Sequence, residues 1–136
     1  MRRLFADTFY WMALLYARDQ WHQRVVEFSE SLDSYHIFTT DAVFIEYLTA
    51  FSARGQHLRQ QAVASARHFL HASFVTIIPQ TRDLLLEGIA LYENHPNKEY
   101  SLTDCISMHV MRHEGISEVL TNDHHFRQEG FRVLFE

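Results

Sequence analysis

The sequence predicts an α/β fold: a three-layer α/β/α sandwich built on a mostly parallel sheet of about five strands. Two observations carry this. Short β-branched and aromatic runs alternate with longer segments of helical periodicity, the pattern of parallel strands joined by crossover helices. The chain has 136 residues, 47% hydrophobic and 14% aromatic, enough to build a core without staples. With only 4 Gly and 2 Pro, no linker or low-complexity stretch breaks the pattern, so residues 1–136 read as one domain.

Arg3–Asp7 is a short apolar run ending in an acid and reads as a buried strand. Thr8 is placed to cap a helix to about Arg18, since its hydroxyl offers an acceptor to free first-turn amides. A second helix is expected from about Gln20 to Leu32. His36–Thr40 is β-branched and aromatic, a second strand. Asp41 then opens a helix carrying Val43, Phe44, Glu46, Tyr47 and Leu48, ending near Gly55. Another helix follows from about His57 to His71. Phe74–Ile78 is the clearest strand, stopped by Pro79, and a helix runs on to about Glu93. Asn94-His95-Pro96-Asn97 is a loop by composition. Ser101 begins a helix in which Leu102, Cys105, Ile106, His109, Val110 and His113 recur at helical spacing, and Gly115 ends it. Ser117–Thr121 and Phe131–Phe135 complete the strands.

The composition excludes several classes. One cysteine, Cys105, rules out an internal disulfide and a four-thiolate zinc site and favours a reducing, cytoplasmic setting. The longest apolar run, Phe9–Ala17, is far shorter than the ~18–20 residues that span a bilayer, so no membrane association is expected. All but one of the 12 basic residues are Arg, the side chain best suited to phosphate, Lys98 being the exception.

In open parallel sheets ligands bind beyond the carboxyl ends of the strands. Four acids fall there: Asp7 ends the first strand, Glu46 lies in the helix after the second, Asp104 sits in the first turn of the helix from Ser101, and Asp123 follows the fourth strand. Carboxylates so gathered repel one another unless a hard divalent cation compensates, and Mg²⁺ and Mn²⁺ prefer oxygen ligands. Such ions polarise a phosphodiester and activate water, so no Ser, Cys or His nucleophile is needed. Without these four acids the formal charge falls from −5 to −1, so the rest of the surface need not repel RNA. The competing reading is that Asp41 and Asp104 are helix-start residues favoured by the dipole.

Leu4-Phe5-Ala6-Asp7-Thr8, Thr40-Asp41-Ala42-Val43-Phe44-Ile45-Glu46, Ser101-Leu102-Thr103-Asp104-Cys105, Gly115-Ile116, Leu120-Thr121-Asn122-Asp123-His124-His125-Phe126 and Gly130–Leu134, in that order, resemble a PIN-domain ribonuclease, most nearly the toxins of VapBC-type toxin–antitoxin pairs. The resemblance covers essentially the whole chain. It implies a PIN-like nuclease domain and an endoribonuclease dependent on Mg²⁺ or Mn²⁺, with RNA as substrate. It also implies an antitoxin partner and a homodimer. Asp7, Glu46, Asp104 and Asp123 match the family's catalytic, metal-binding acids, with Asp7 and Asp104 the principal ligands. Thr8 and Thr121 match its supporting hydroxyls. Phe9 departs from it, standing where relatives more often carry a small polar residue.

Arg54, His57, Arg59, Arg112 and Arg127 are candidates for RNA backbone contact. His124 and His125 are expected as an exposed pair at the mouth of the site, His109 as a hydrogen-bonded core histidine, and His113 without a partner. Cys105 is expected to be a small buried side chain. Phe9–Ala17 is apolar all round, which fits either core beneath a neighbouring helix or an association surface. Two functional alternatives stay open: a non-catalytic RNA-binding domain of the same fold, and a metal-dependent phosphatase-like hydrolase. A receiver-like domain is disfavoured, since it needs a lysine late in the chain and Lys98 lies in a loop before a helix.

Overall fold

A computed structural model describes residues 1–136. The elements run β1 (Arg2–Ala6), α1 (Thr8–Leu15), α2 (His22–Ser31), β2 (Tyr35–Thr40), α3 (Asp41–Ala50), α4 (Gln56–Leu70), β3 (Val75–Ile78), α5 (Arg82–Glu93), α6 (Leu102–Glu114), β4 (Glu118–Leu120), α7 (His125–Gln128) and β5 (Arg132–Val133). The five strands form one sheet in the order β3-β2-β1-β4-β5, every pair parallel. The expected α/β sandwich is thus the fold observed. Strand β1 is central, and Leu4, Phe5 and Ala6 are wholly buried. The chain builds outward on one side of β1 through β2 and β3, then returns to the other side through β4. Ligands of such sheets bind where the order reverses, which here is between the carboxyl ends of β1 and β4.

The differences from expectation have local causes. Helix α1 stops at Leu15 rather than near Arg18, because Tyr16 turns extended and the His22 ring nitrogen Nδ1 bonds the Ala13 carbonyl at 2.7 Å. Thr8 does not cap α1. Asp7 holds the cap position without a side-chain cap bond, and Thr8 Oγ1 is buried with no hydrogen-bond partner. Helix α3 ends at Ala50, short of Gly55, with turns over Phe51–Ser52 and Arg54 before α4 begins. Its cap is Thr40, whose hydroxyl accepts from the Val43 N–H at 3.1 Å, while the Asp41 carboxylate accepts from the Gln80 N–H at 2.8 Å and ties α3 to the segment after β3. The short helix α7 was not expected.

Helix α1 packs against α2, α3 and α4. Trp11 lies beneath it, 1% exposed, with its ring 4.6 Å from Phe69 and 5.3 Å from Phe44. Within the apolar run Tyr10, Trp11 and Ala13 are core beneath neighbouring helices, while Phe9, Met12, Leu14, Leu15 and Tyr16 stay half-buried and partly open. Cys105 is buried, as expected. Helices α5 and α6 lie unusually close: a Cβ on Gly88 would stand 2.5 Å from Ile106 Cγ1, so only glycine fits there without displacement. No helix is long and apolar enough to cross a membrane.

Candidate active site

Asp7 is the innermost acid, 7% exposed at the end of the central strand. Its Oδ2 accepts a 2.9 Å bond from the Thr121 hydroxyl, which in turn accepts from the Asp123 backbone N–H at 3.2 Å. One fully buried threonine therefore sets two of the acids relative to each other. Burial foremost, and then the charge of Asp104 with a smaller part from Glu46, push the Asp7 carboxyl up to about 7.

Asp104 is held by a reciprocal cap. The Ser101 hydroxyl accepts from the Asp104 N–H at 3.0 Å, and Asp104 Oδ2 accepts from the Ser101 N–H at 3.0 Å. The first-turn reading of Asp104 is thus correct, but it leaves Oδ1 outside the box. Its carboxyl is also raised, by burial first and with the charges of Asp123 and Glu46 adding to it, so Asp104 both caps α6 and faces the other acids.

Asp123 follows β4, half-buried. Its Oδ1 accepts from the His125 N–H at 2.9 Å and lies 3.0 Å from His125 Nδ1. Ligand atoms of Asp104, Asp123 and His125 all lie within 4.8 Å of one another, close enough to hold one metal ion. Glu46 is exposed on α3. It lies five residues into the helix that leaves the carboxyl end of β2, and its charge adds a small part to the raising of Asp7 and Asp104. All four expected acids therefore share one end of the sheet, and no Arg or Lys forms an ion pair with any of them.

His125 is the residue that the sequence reading set aside. Its ring does pair with that of His124, centroids 4.6 Å apart, but it is not exposed with it: its side chain is 20% exposed, and its other neighbour is Tyr100, met edge-on at 5.4 Å. The Tyr100 hydroxyl donates to Glu129 Oε2 at 2.8 Å, which fixes the aromatic wall behind the imidazole. The signal available was position alone, two residues after an acid at a strand end. His124, by contrast, is exposed.

The candidate RNA-contacting arginines are dispersed. Arg54 lies over the Tyr16 ring at 5.6 Å and shares a groove of about 390 Å³ with Asn122, the neighbour of Asp123. Arg59 donates to the Ser52 carbonyl at 2.8 Å, and His57 is exposed beside it on α4. Arg112 pairs with Glu129 at 2.9 Å, eight residues and ~12 Å along α6 from Asp104. Arg127 pairs with Glu136.

The donor set is mostly oxygen, as a hard divalent ion prefers: buried Asp7 and half-buried Asp104 and Asp123 without an Arg or Lys partner, and an unpartnered Thr8 hydroxyl next in the chain to Asp7, with the His125 imidazole as the one nitrogen.

No family model matches the chain. The 23S rRNA-specific endonuclease VapC20 of Mycobacterium tuberculosis is 30% identical over 128 residues, 94% of this chain and 95% of the relative, in each of two strains. The crystal structure of M. tuberculosis VapC20, described as a sarcin–ricin-loop-cleaving toxin, superposes with a TM-score of 0.86 at 28% identity, over 96% of this chain and 98% of that one. FitAcB of Neisseria gonorrhoeae shares the fold, with a TM-score of 0.66 at 14% identity over 98% of this chain and 96% of that one.

Proposed function

This chain belongs to the VapC-type PIN-domain toxins, which are endoribonucleases, and from that premise we propose that it cuts RNA at the four-acid cleft with Mg²⁺ or Mn²⁺. The observation that carries the assignment of the site is the gathering of Asp7, Glu46, Asp104 and Asp123, from four separate segments, with no Arg or Lys paired to any of them. Asp7, Asp104 and Asp123 are the ligands, Glu46 orients from the rim, and His125 adds a nitrogen donor. When bound, the ion supplies Lewis-acid polarisation of the phosphodiester and lowers the pKa of a water molecule, the nucleophile.

The chain's own groups prepare this. Thr121 holds the Asp7 and Asp123 segments at fixed separation, and the Ser101 box holds Asp104. The His125 N–H fixes one oxygen of Asp123, and Tyr100 supports the His125 ring. Thr8 completes the polar lining beside Asp7. Arg54, in the groove that Asn122 shares, is the best placed cation for an RNA phosphate, with Arg59, His57, Arg112 and Arg127 further out. Residues 1–136 act as one nuclease domain in a cytoplasmic setting. An antitoxin and a second copy of the chain are its protein partners. Beside the half-buried side chains of α1, the apolar surface open to them includes Ile45, Val63, Leu86 and Ile89. The substrate of VapC20 makes a sarcin–ricin-type RNA hairpin the first RNA to try.

The test is cleavage of that hairpin, a mutated hairpin and unstructured RNA, in Mg²⁺, Mn²⁺ or EDTA, by the native chain, Asp7→Asn and Asp104→Asn. Cutting that requires metal and disappears in both variants is expected. Activity that survives either EDTA or both substitutions overturns the site, and cutting of the unstructured RNA alone overturns the hairpin.

A further inference from the structure

The groove between α5 and α6 carries a second constellation of ligand-type side chains, none of them among the cleft acids. His109 and His113 stand four residues apart on α6, hence on one face of the helix. Their rings are nearly parallel, 17° between planes, with centroids 6.2 Å apart. His109 is not the hydrogen-bonded core histidine that its place in the sequence suggests: its side chain is 33% exposed and opens into the groove. On α5, Asp83 and Glu87 repeat the same spacing. Glu87 Oε2 lies 4.0 Å from His109 Nδ1, too long for a hydrogen bond and free to close on an ion. These four side chains, with Glu114, line a groove of about 290 Å³ floored by Leu84 and Val110, and no Arg or Lys lines it. The close approach at Gly88, next to Glu87, is what brings the α5 carboxylates within reach of the α6 imidazoles.

We propose that this groove is a transition-metal site, in which His109 and His113 chelate Zn²⁺ and Glu87 supplies a third ligand from the facing helix. Asp83 or water takes the remaining position. Imidazole nitrogen selects borderline ions such as Zn²⁺ over Mg²⁺, so the two imidazoles here favour Zn²⁺ more strongly than the single His125 does in the oxygen-rich cleft. The site is not preformed. A shared ion must lie in the plane of both rings, so the stacked imidazoles have to turn about their side-chain bonds as well as close from 6.2 Å to the roughly 5 Å that zinc–nitrogen bonds of ~2.0 Å at a tetrahedral ion require. An ion bound there ties α5 to α6 by a coordinate link and stabilises the folded chain in proportion to its occupancy.

The cleft also contains an imidazole, so the test is made on an Asp104→Asn/Asp123→Asn chain stripped with chelator. Titration calorimetry with ZnCl₂ in excess Mg²⁺ is expected to show one equivalent bound, with a rise in Tm. Adding His109→Gln and His113→Gln is expected to weaken binding at least 100-fold and abolish the rise, and Glu87→Gln to weaken it about tenfold. All three side chains are partly exposed, so urea unfolding of the zinc-free variants is expected to match the parent. RNA cleavage by an otherwise native His109→Gln/His113→Gln chain is expected to be unchanged, which separates this site from the nuclease. Zinc binding that persists in the double-histidine variant, or its absence from the Asp104→Asn/Asp123→Asn parent, overturns the proposal.

Discussion

Strand β4 has an acid near each end, and the protein treats the two in opposite ways. At its start, Glu118 receives Arg2 through both oxygens, at 2.9 and 3.0 Å, with Arg132 at 3.5 Å. The hydrogen bond from Arg2 holds the Glu118 carboxyl below its usual range. Just past its end, Asp123 and its neighbours Asp7 and Asp104 have no arginine, and the carboxyls of Asp7 and Asp104 are raised. The chain has 12 basic residues to spend, yet none pairs with the cleft acids. An acid that ties strands together is given its cation; the acids gathered at the cleft have no Arg or Lys.

That contrast yields measurable consequences. The largest is catalytic: Asp104→Asn removes a ligand charge, and we expect RNA cleavage to fall by several orders of magnitude in a single-turnover assay while the Ser101 cap largely persists. Next is the pH dependence of metal-free stability. The folded chain keeps a proton on Asp7 that the unfolded chain releases, so stability falls as pH rises from about 4 to about 7, by on the order of 4 kcal/mol. Urea unfolding in EDTA should trace that fall. Asp7→Asn should flatten it, and saturating Mg²⁺ should offset it in the native chain.

A smaller effect is expected from Thr121→Val, which removes the hydroxyl that lowers Asp7 and accepts from Asp123. The acid limb of the kcat/KM profile should move to higher pH, with about a tenfold loss at neutral pH for each unit moved. The smallest belongs to the paired acid. Glu118→Gln should leave cleavage intact and cost about 1 kcal/mol at pH 7. Because the folded carboxyl is lowered, that cost should vanish as the pH falls below the ordinary glutamate range, in urea titrations at pH 7 and pH 3.

The sheet and the acids were legible because each leaves a local trace. Phe74–Ile78 is β-branched and ends at Pro79, the Ser101/Asp104 pair is a capping box three residues apart, and Gly115 takes the left-handed turn with φ of 68°. What was not legible depends on neighbours distant in sequence. Nothing around Tyr16 reveals that His22 will take the Ala13 carbonyl and end α1 early. His125 packs against Tyr100, and His109 faces the groove left where α5 meets α6 through Gly88 and Ile106. Histidine fits core, surface and ligand environments alike, so its role is decided only once the helices are placed.

The hydrogen bond from Thr121 to Asp7 spans 114 positions of sequence and crosses between parallel strands paired Ala6 to Leu120. Contacts of such separation are costly in loop entropy and form late in folding. A ribosome that has delivered Asp7 and Glu46 has still to deliver Asp104 and the strand that completes the cleft. The order of synthesis thus acts as a timer, keeping the four acids from meeting until β4 has emerged.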